Sequence, residues 1–326
     1  MMASRIYTNP VIPNAELPDL DLLTLLFDSE HTRCRDELKV IHVDAADPGN
    51  HITKSQLREL TERFAHGIRT LYGIGAQGPN EDVVTTITYG QVLAPAIYFG
   101  TIAAGGVSSA ASPSSTVPEL IRQVETTRSQ LIICVKEHKD VACEAAKTCG
   151  IPLDCVVVAQ SAPKWSLGSV EGSKETISPQ RLKWERIIDA KKLDESLITI
   201  LWFSGTTGLP KGVMISHRNL VAETYITVLT MRHWVAAETA KGNAVKLPEY
   251  RALAHLPISH IAGLFGCMIA PFYNNGTVFW MQQYKWEKFL LNMKRHEITM
   301  LFTMPTVYLR ISKTPEAAEA VRSVYS

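Results

Sequence analysis

The sequence predicts an α/β fold in which βαβ units build layered, mostly parallel sheets. Apolar residues recur at helical spacing through HITKSQLRELTERFAHGIRTLY, residues 51–72, and the run stops at glycines. Short β-rich runs follow, among them EDVVTTITYG at residues 81–90 and LIICV at residues 131–135. Helical and β-rich segments then alternate at the spacing of βαβ units, which is typical of parallel sheets covered on both faces.

The remaining elements follow in order along the chain. After residue 90 the pattern predicts an uncharged helix within 92–107 and then a strand with a loop within 105–116. Two helix–strand pairs follow, with helices within 117–130 and 139–150 and strands within 131–135 and 155–159. Residues 160–196 are polar and are predicted to form an exposed loop, and a second alternating stretch starts at Leu197. We therefore expect an N-terminal segment at 1–50, a first α/β subdomain at 51–196 and a second α/β subdomain at 197–326.

Composition and charge exclude several classes of function. The 326 residues include 33 basic and 32 acidic side chains, and the net charge of +1 gives no electrostatic reason to expect nucleic acid as a partner. The six cysteines contain no CxxC pair, which favours reduced thiols inside a cell. We expect no secretory signal at the N-terminus and find no peroxisomal Ser-Lys-Leu type ending. The expected location is the cytoplasm, and the sequence does not indicate an oligomeric state.

A long uncharged stretch lies between Asp82 and Glu119. Its central part approaches the length of a membrane span, but Pro95 and several glycine, serine and threonine residues dilute its apolar character. A buried strand–helix–strand passage explains the stretch as well, so we expect no membrane span.

Residues 197–220, LITILWFSGTTGLPKGVMISHRNL, join a buried strand pattern to a loop of glycines and hydroxyl residues. Glycines let backbone N–H groups approach an anion, hydroxyls add donors, and a lysine adds a mobile positive charge. The segment after the lysine begins like a helix with Ser216 as its N-cap. This layout suits a polyphosphate group. The candidate ligands are Ser204, Gly205, Thr206, Thr207, Gly208 and Lys211.

The Walker pattern does not fit this loop. Counted from Gly205, the GxxxxGK[ST] template requires Gly at 210 and Ser or Thr at 212, where the chain has Pro210 and Gly212. An ordinary P-loop NTPase is therefore disfavoured. A glycine-rich turn between two strands is the simpler alternative, but a stretch of this length is more specific than a short glycine loop. Lys211 also lies between apolar flanks, where a charge without a partner is costly.

The segment SGTTGLPKGV, residues 204–213, resembles the phosphate-binding signature of the adenylate-forming (AMP-binding) superfamily, which includes acyl-CoA and aryl-CoA ligases and luciferases. The similarity extends over most of the chain. Residues 52–68 are similar to the family's early helix, and residues 99–133 resemble its next βαβ passage. HLPISHIAGLFG at 255–266 and LFTMPTVYLRI at 301–311 resemble two later elements. The order of these elements is most similar to that of 4-coumarate-CoA-ligase-like enzymes.

The resemblance implies an acyl-CoA ligase. In this family a carboxylate attacks the α-phosphate of MgATP to give an acyl-adenylate and pyrophosphate, and CoA then accepts the acyl group. The six loop residues would hold the β- and γ-phosphates. Attack of one anion on another depends mainly on positioning and electrostatic stabilisation. The expected cofactors are therefore ATP, Mg²⁺ and CoA, and the expected substrate is a small carboxylic acid, aromatic or of medium chain length.

The resemblance also assigns part of an acyl pocket to residues 255–266. His260 matches the histidine that borders the pocket, and Gly263 and Phe265 are expected to shape it. A lone histidine in apolar surroundings is more often a satisfied core residue, and Phe265 suits a plain core position equally well. Residues 300–305 are expected to form a buried strand first and a pocket lining second. His255 has no assigned role.

Several positions depart from the family pattern. Trp202 and Phe203 stand where small hydroxyl residues usually precede the loop, which places a bulky ring beside it. Gln283 stands where CoA ligases often have a basic residue, although Lys285 is close in sequence. Ser112 precedes Pro113 where acyl-CoA ligases usually have Asn-Pro. Transfer to CoA therefore has weaker support than formation of the adenylate.

The last residues, AVRSVYS at 320–326, resemble an interior strand of the family. In the family a magnesium-binding Glu, a ribose-binding Asp and a small C-terminal lid domain with the catalytic lysine follow this point. The resemblance is therefore to the N-terminal part of the enzyme, with the second subdomain incomplete and the lid domain absent. No catalytic residue and no metal ligand is assigned. The alternative function is a catalytically inactive remnant that binds nucleotide or a regulatory partner.

Overall fold

The computed structural model describes residues 15–203, 209–245 and 247–325. The strands in this part of the chain are β1 (Val40–Asp44), β2 (His51–Thr53), β3 (Val83–Ile87), β4 (Val107–Ala111), β5 (Leu131–Val135), β6 (Val156–Gln160), β7 (Ser166–Ser169), β8 (Leu197–Phe203), β9 (Lys211–Ser216), β10 (Arg251–Ala254) and β11 (Thr277–Trp280).

The helices alternate with these strands. They are α1 (Leu22–Phe27), α2 (Lys54–Tyr72), α3 (Ala94–Ala103), α4 (Val117–Thr127), α5 (Lys139–Thr148), α6 (Ala190–Glu195), α7 (His217–Ala240), α8 (Ile261–Leu264), α9 (Ala270–Tyr273), α10 (Trp286–Arg295), α11 (Pro305–Lys313), α12 (Ala317–Ala320) and α13 (Arg322–Tyr325). A π-helical turn, Phe265–Ile269, joins α8 to α9.

The larger sheet of the described chain has seven strands in the order β7-β6-β5-β3-β4-β8-β9. The pairs β6–β5, β5–β3, β3–β4 and β4–β8 are parallel, while β7 and β9 close the two edges as antiparallel strands. Strands β3, β4 and β5 are buried along their whole length, as expected for parallel strands with helices on both faces. The predicted α/β class with parallel-sheet layers is therefore confirmed.

The smaller sheet has four strands in the order β10-β11-β1-β2. β1 pairs in parallel with β11, with His42 opposite Val278, although the two strands are more than 200 residues apart in the sequence. β2 is antiparallel to β1. Residues 40–53 thus supply two strands to a sheet whose other two strands lie between residues 251 and 280.

Helix α2 begins and ends where its sequence indicates. Thr53 and Gln56 form a capping box at its start, in which each side chain accepts a hydrogen bond from the other's backbone N–H. Gly73 ends the helix with φ of 72°, a left-handed conformation that glycine adopts without strain. α2 packs against α3, where a Cβ on Gly100 would lie 2.5 Å from the Phe64 ring. The glycine therefore permits the close contact between the two helices.

The central part of the uncharged stretch forms α3, and all residues of α3 are buried. Phe99 of α3 packs edge-to-face on Phe27 of α1, and Phe27 packs in the same way on Phe272 of α9, with ring centroids 5.9 and 4.8 Å apart. Such aromatic pairs add to the stabilisation that burial provides. None of the helices in the described ranges combines the length and the apolar character that a membrane crossing requires.

The two sheets do not divide at the boundary predicted between residues 196 and 197. β8, which follows that boundary, pairs in parallel with β4, so the larger sheet contains strands from both sides of it. The smaller sheet in turn combines strands from the segments 1–50, 51–196 and 197–326. The change in composition at Leu197 therefore marks the start of β8, which joins the sheet that contains β3 to β7.

Two further predictions differ from the structure. Residues 160–196 are not a wholly exposed loop, because they contain β7 and α6, and Leu167, Thr176 and Leu193 are buried. The strand predicted near the end of the chain is absent from the described residues, where 317–320 and 322–325 are short helices. A short apolar run does not by itself distinguish a buried strand from a helical turn, and here packing against α10 favours the helix.

Candidate functional site

The predicted phosphate loop lies between β8 and β9. β8 ends at Phe203, β9 begins at Lys211, and these two residues pair across the hairpin. Residues 204–208, which hold the candidate ligands Ser204, Gly205, Thr206, Thr207 and Gly208, lie outside the described residues. Because β8 runs parallel to β4, the hairpin opens at the carboxyl edge of the parallel strands. Ligands of open α/β sheets usually bind at this edge.

Lys211 is exposed and is the first residue of β9 rather than part of a loop that leads directly to a helix. The next residue, Gly212, lies over β8, and a Cβ there would be 2.9 Å from Cγ2 of Ile200. Helix α7 follows β9 directly, and its N-cap is Ser216, whose side chain accepts a hydrogen bond from the N–H of Asn219. The predicted N-cap is confirmed, but a short strand separates the lysine from the helix.

Trp202, the second residue before the SGTTG segment, is hydrogen-bonded to the neighbouring strand. Its indole Nε1 donates a hydrogen bond of 3.1 Å to Oγ of Ser109 on β4. Phe203 is instead 61% exposed at the end of β8. The two aromatic residues therefore face different surroundings. No local pattern singles out Ser109, because its contact with Trp202 depends on the pairing of β4 with β8.

The three candidate acyl-pocket residues come together at one short helical segment. His260 is exposed and is the N-cap of α8, where its Nδ1 accepts a hydrogen bond of 3.2 Å from the N–H of Ala262. Gly263 is buried in α8, and Phe265 is half-buried at the start of the π-helical turn. Turns of this kind are frequent at functional sites.

Gly263 lies too close to the backbone of Pro257 to accommodate a side chain. A Cβ at this position would lie 2.0 Å from the carbonyl oxygen of Pro257, far closer than any carbon–oxygen contact allows. The residue therefore lets α8 lie against the Pro257 carbonyl. This contact accounts for the glycine independently of any ligand.

A small cavity of about 20 Å³ lies between α8, α3 and the larger sheet. Thr86, Ser108 and Thr199 line its sheet side, and Leu264 and Met268 line its helix side. A volume of this size holds about one water molecule. The cavity beside α8 therefore has polar residues on its sheet side and apolar residues on its helix side.

The predicted strand at residues 300–304 is reduced to a single bridge between Ala252 and Met300. Phe302 and Met304 are 55% and 56% exposed, so the prediction of a buried strand was wrong for these side chains. The Phe302 ring instead covers Gly266, where a Cβ would lie 2.6 Å from Cδ1 of the ring. The first turn of α11 begins at Pro305, as the strand-Pro-helix resemblance implied for the helix.

His255 belongs to the interior of this region. Its Nδ1 lies 3.0 Å from the Leu253 carbonyl, and its Nε2 lies 2.7 Å from Oγ1 of Thr303. Burial lowers the pKa of His255 below its ordinary value, although the Leu253 carbonyl opposes the shift. The ring is therefore neutral near pH 7 and joins β10 to the segment before α11.

A crevice of about 290 Å³ also opens at the carboxyl edge, at the ends of β3, β5 and β6. Tyr89, Gln91, Lys136 and Gln160 line it from the larger sheet, and Gln282 reaches it from the segment after β11. Gln283 and Lys285 are exposed nearby in the same segment. No motif in the sequence brings these positions together, because they meet only when the two sheets pack.

Side chains that could ligate a metal are not clustered in the described part of the chain, although Glu137 lines the crevice. Across residues 15–203, 209–245 and 247–325, no three or more His, Cys, Asp or Glu side chains are arranged to hold a metal ion.

Comparison with known proteins gives the family. The family model described as AMP-binding enzyme matches residues 29–326. A protein of Emericella nidulans whose name describes an acyl-coenzyme A synthetase is 42% identical over 312 residues, which are 95% of this chain and 55% of that protein. 4-coumarate–CoA ligase-like 9 of Oryza sativa subsp. japonica is 29% identical over 86% of this chain and 46% of its own length.

The fold of the chain also matches that of a solved structure. The crystal structure of apo MatB from Rhodopseudomonas palustris superposes with a TM-score of 0.69 and 24% identity, over 91% of this chain and 51% of that one. The chain thus spans about half the length of the relatives that it matches. Because the family model covers most of its residues, the chain belongs to the family of AMP-binding enzymes.

Proposed function

We propose that this chain takes part in ATP-dependent activation of a carboxylic acid, giving an acyl-adenylate and then an acyl-CoA thioester. The observation that carries the proposal is the hairpin at the carboxyl edge of the parallel sheet, where Phe203 and Lys211 pair on either side of the SGTTG segment. Membership of the AMP-binding family and similarity to a protein named for acyl-coenzyme A synthetase support it.

The chemistry requires neutralisation of phosphate charge. Lys211 is exposed at the start of β9, so its Nζ can reach an anion without first losing a buried partner. Together with Ser204, Gly205, Thr206, Thr207 and Gly208, it would bind the β- and γ-phosphates of MgATP and stabilise the pyrophosphate that leaves. This arrangement favours in-line attack by a carboxylate on the α-phosphate.

The acid is proposed to bind at α8 and the π-helical turn. His260 would border the carboxylate end of the pocket, and Phe265 would supply an apolar wall. The side chains of Phe302 and Met304, which are exposed, would extend that wall. Such a lining favours an aromatic or medium-chain acid over a small polar one.

The acyl acceptor is proposed to be CoA. This part of the proposal is based on two relatives, one named for acyl-coenzyme A synthetase and one for a 4-coumarate–CoA ligase-like protein. The reaction is proposed to occur in the cytoplasm, and the free state of all six cysteines is consistent with a reducing compartment.

Carboxylate-dependent exchange of labelled pyrophosphate into ATP tests the proposal, because it reports the first half-reaction alone. The chain is assayed with a panel of aromatic and medium-chain acids, and acyl-CoA formation is followed separately by chromatography. Exchange that depends on the acid supports adenylate formation. A folded sample that binds ATP without any exchange would instead support the alternative of a nucleotide-binding remnant, and ADP as the product would indicate an NTPase.

A further inference from the structure

A second cavity, of about 500 Å³, lies at the opposite edge of the larger sheet from the hairpin. Gly105 and Gly106 precede β4, Ser196 precedes β8, and Asn80 lies in the loop before β3, and all four line this space. It is therefore at the amino ends of parallel strands whose carboxyl ends form the proposed active site. We call it the amino-edge cavity. Its volume is in the range of small-molecule sites.

Hydrogen bonds hold the walls of the amino-edge cavity in place. The Asn80 side chain donates to the Glu195 carbonyl at 2.9 Å and accepts from the Leu197 N–H at 2.7 Å. One Nη atom of Arg69 donates to the carbonyls of Ala104 and Gly75, at 2.6 and 3.2 Å. These contacts join the loops before β3, β4 and β8 around one space, so the cavity is preformed.

The positive charges that line the amino-edge cavity lack counter-ions. Arg69, Lys183 and Lys192 line it, and none of them has a carboxylate within ion-pair distance in the part of the chain that the structure describes. Arg69 is half-buried, and its Nε is buried without a hydrogen-bond partner among the described residues. Arg69 therefore keeps a positive charge at the wall that no carboxylate of the described chain neutralises, and an anion in the cavity would be attracted to it.

Two cations that lie close to the amino-edge cavity in the sequence, but do not line it, form ion pairs. Lys191, the neighbour of Lys192, is 3.8 Å from Glu195. Arg218 is 2.7 Å from Asp19 and 3.6 Å from Asp194. These two cations are neutralised by carboxylates, unlike the three that line the cavity.

The carboxylates of the lining are mostly engaged. Both oxygens of Asp21 accept backbone N–H groups, from Thr24 at 2.8 Å and Ile187 at 3.2 Å. Glu195 is already paired with Lys191. Glu185 also lines the cavity and is exposed, so it is the acidic side chain that an incoming anion would have to avoid.

His217 adds a neutral donor. It lines the amino-edge cavity, is 6% exposed, and its Nδ1 accepts a hydrogen bond of 3.1 Å from the Leu22 N–H. The ring proton is therefore on Nε2, for which the described residues provide no acceptor. Burial lowers the pKa of His217 to about 4, so the ring stays neutral near pH 7.

The rest of the lining is apolar. Leu23, Ile102, Trp184 and Ile198 face the same space. From the unpaired cations, the neutral donor and this apolar wall, we infer that the amino-edge cavity binds a small organic anion with an apolar body and a carboxylate or phosphate head. This site is separate from the proposed active site and goes beyond the proposed function.

Lysine footprinting on the full chain tests the inference. Acetylation of individual lysines is followed by mass spectrometry at low ionic strength, with hexanoate, hexyl phosphate, inorganic phosphate and hexanol as probes. We expect hexanoate or hexyl phosphate to slow the modification of Lys183 and Lys192 at least threefold in a saturable manner. Lys191 is the internal control, because it lies next to Lys192 on α6 and does not line the cavity. Hexanol lacks the charge and inorganic phosphate lacks the apolar body, so both should protect less.

Variants and competition complete the test. Lys192→Gln should raise the concentration for half-protection of Lys183 several-fold, and Lys294→Gln, on α10 and outside the lining of the cavity, should leave it unchanged. Saturating ATP should not displace the probe, which separates this site from the proposed active site and keeps the two proposals distinguishable. Equal protection of Lys191 and Lys192, no saturation with either anion, or loss of protection on adding ATP would overturn the inference. Whichever anion protects at lower concentration identifies the preferred head group.

Discussion

Trp202 and Ser109 are joined by a hydrogen bond of 3.1 Å from the indole Nε1 to the serine Oγ, across the parallel strands β8 and β4. Ser109 is completely buried, and Trp202 is the second residue before the SGTTG segment. The strand end that leads into the proposed phosphate loop is thus fixed through a side chain of its neighbour.

The first prediction follows from this bond. Trp202→Phe removes the donor and leaves the buried hydroxyl of Ser109 without this partner, so the free energy of unfolding should fall by about 1–3 kcal/mol. Urea denaturation followed by circular dichroism measures the change. Phe203→Leu is the matched control, because Phe203 is 61% exposed, and it should change stability little. Equal effects of the two substitutions would show that the hydrogen bond does not contribute.

The second prediction concerns the proposed phosphate contact. Lys211→Ala should weaken ATP binding by about 1.5–3 kcal/mol, or roughly 10- to 150-fold, because a charge-assisted contact to the outer phosphates is lost. AMP, which lacks those phosphates, should bind almost as before. Titration calorimetry with both nucleotides measures the difference.

Lys241→Ala serves as the control for Lys211→Ala. Lys241 is an exposed lysine beyond the end of α7 that pairs with Glu238, and it lies outside the proposed site. Its loss should affect neither nucleotide. Equal ATP affinity of Lys211→Ala and the parent chain would remove Lys211 from the site.

Local patterns predicted much of the fold. The helix at residues 54–72 and the strands at 131–135 and 156–160 appear where apolar periodicity and β-branched runs placed them. These signals are local, since a capping box or a glycine stop acts within a few residues. The nearly complete burial of α3 likewise agrees with its uncharged sequence.

Pairings between distant segments were not predictable from local patterns. The contact of β1 with β11 and the return of β8 to the larger sheet depend on how whole elements pack. The same limit applies to Phe302, whose ring lies over Gly266 rather than inside a sheet. For the candidate site, the sequence predicted the strand before the loop and the helix that begins after Ser216, but not the intervening strand β9 or the crevice at Gln282, which needs both sheets.

The third prediction is a pH dependence of stability. His42 is fully buried, its Nδ1 accepts a hydrogen bond of 3.3 Å from Nε1 of Trp280, and burial lowers its pKa from 6.5 to about 3. In the unfolded chain the ring takes up a proton below pH 6.5, whereas in the folded chain it stays neutral down to about pH 3. The stability that neutral His42 permits is therefore lost as the pH falls from 6.5 towards 3.

Replacement of the ring tests this dependence. His42→Gln keeps an acceptor for Trp280 and removes the titration, so stability should fall less steeply with acid, by up to about 1.4 kcal/mol per pH unit. Urea midpoints at pH 7, 6, 5 and 4 measure the slopes. His233→Gln, at an exposed position of α7, should keep the slope of the parent chain. Parallel curves for His42→Gln and the parent would contradict the assignment.

The fourth prediction separates packing from binding at α8. Gly263→Ala places a Cβ 2.0 Å from the Pro257 carbonyl, so the helix must move, and we expect a loss of about 1–3 kcal/mol or more in the free energy of unfolding. Gly168→Ala is the control, because its Cβ would meet nothing closer than 3.8 Å. Thermal unfolding of both variants decides whether Gly263 is required for folding before any role in acid selection is tested.

The last prediction concerns His260, which has two separable roles. As N-cap of α8 its Nδ1 accepts the Ala262 N–H, and as a proposed pocket residue its ring would contact the acid. His260→Ala removes both, while His260→Asn restores a side chain that is well suited to cap a helix and still removes the ring. We expect both variants to change the order of preference among aromatic and medium-chain acids in pyrophosphate exchange, and both to bind ATP nearly as the parent does. Only the alanine variant should lose stability. Recovery of the parental acid preference by His260→Asn would show that the histidine acts through the cap, and the proposed contact with the acid would then be wrong.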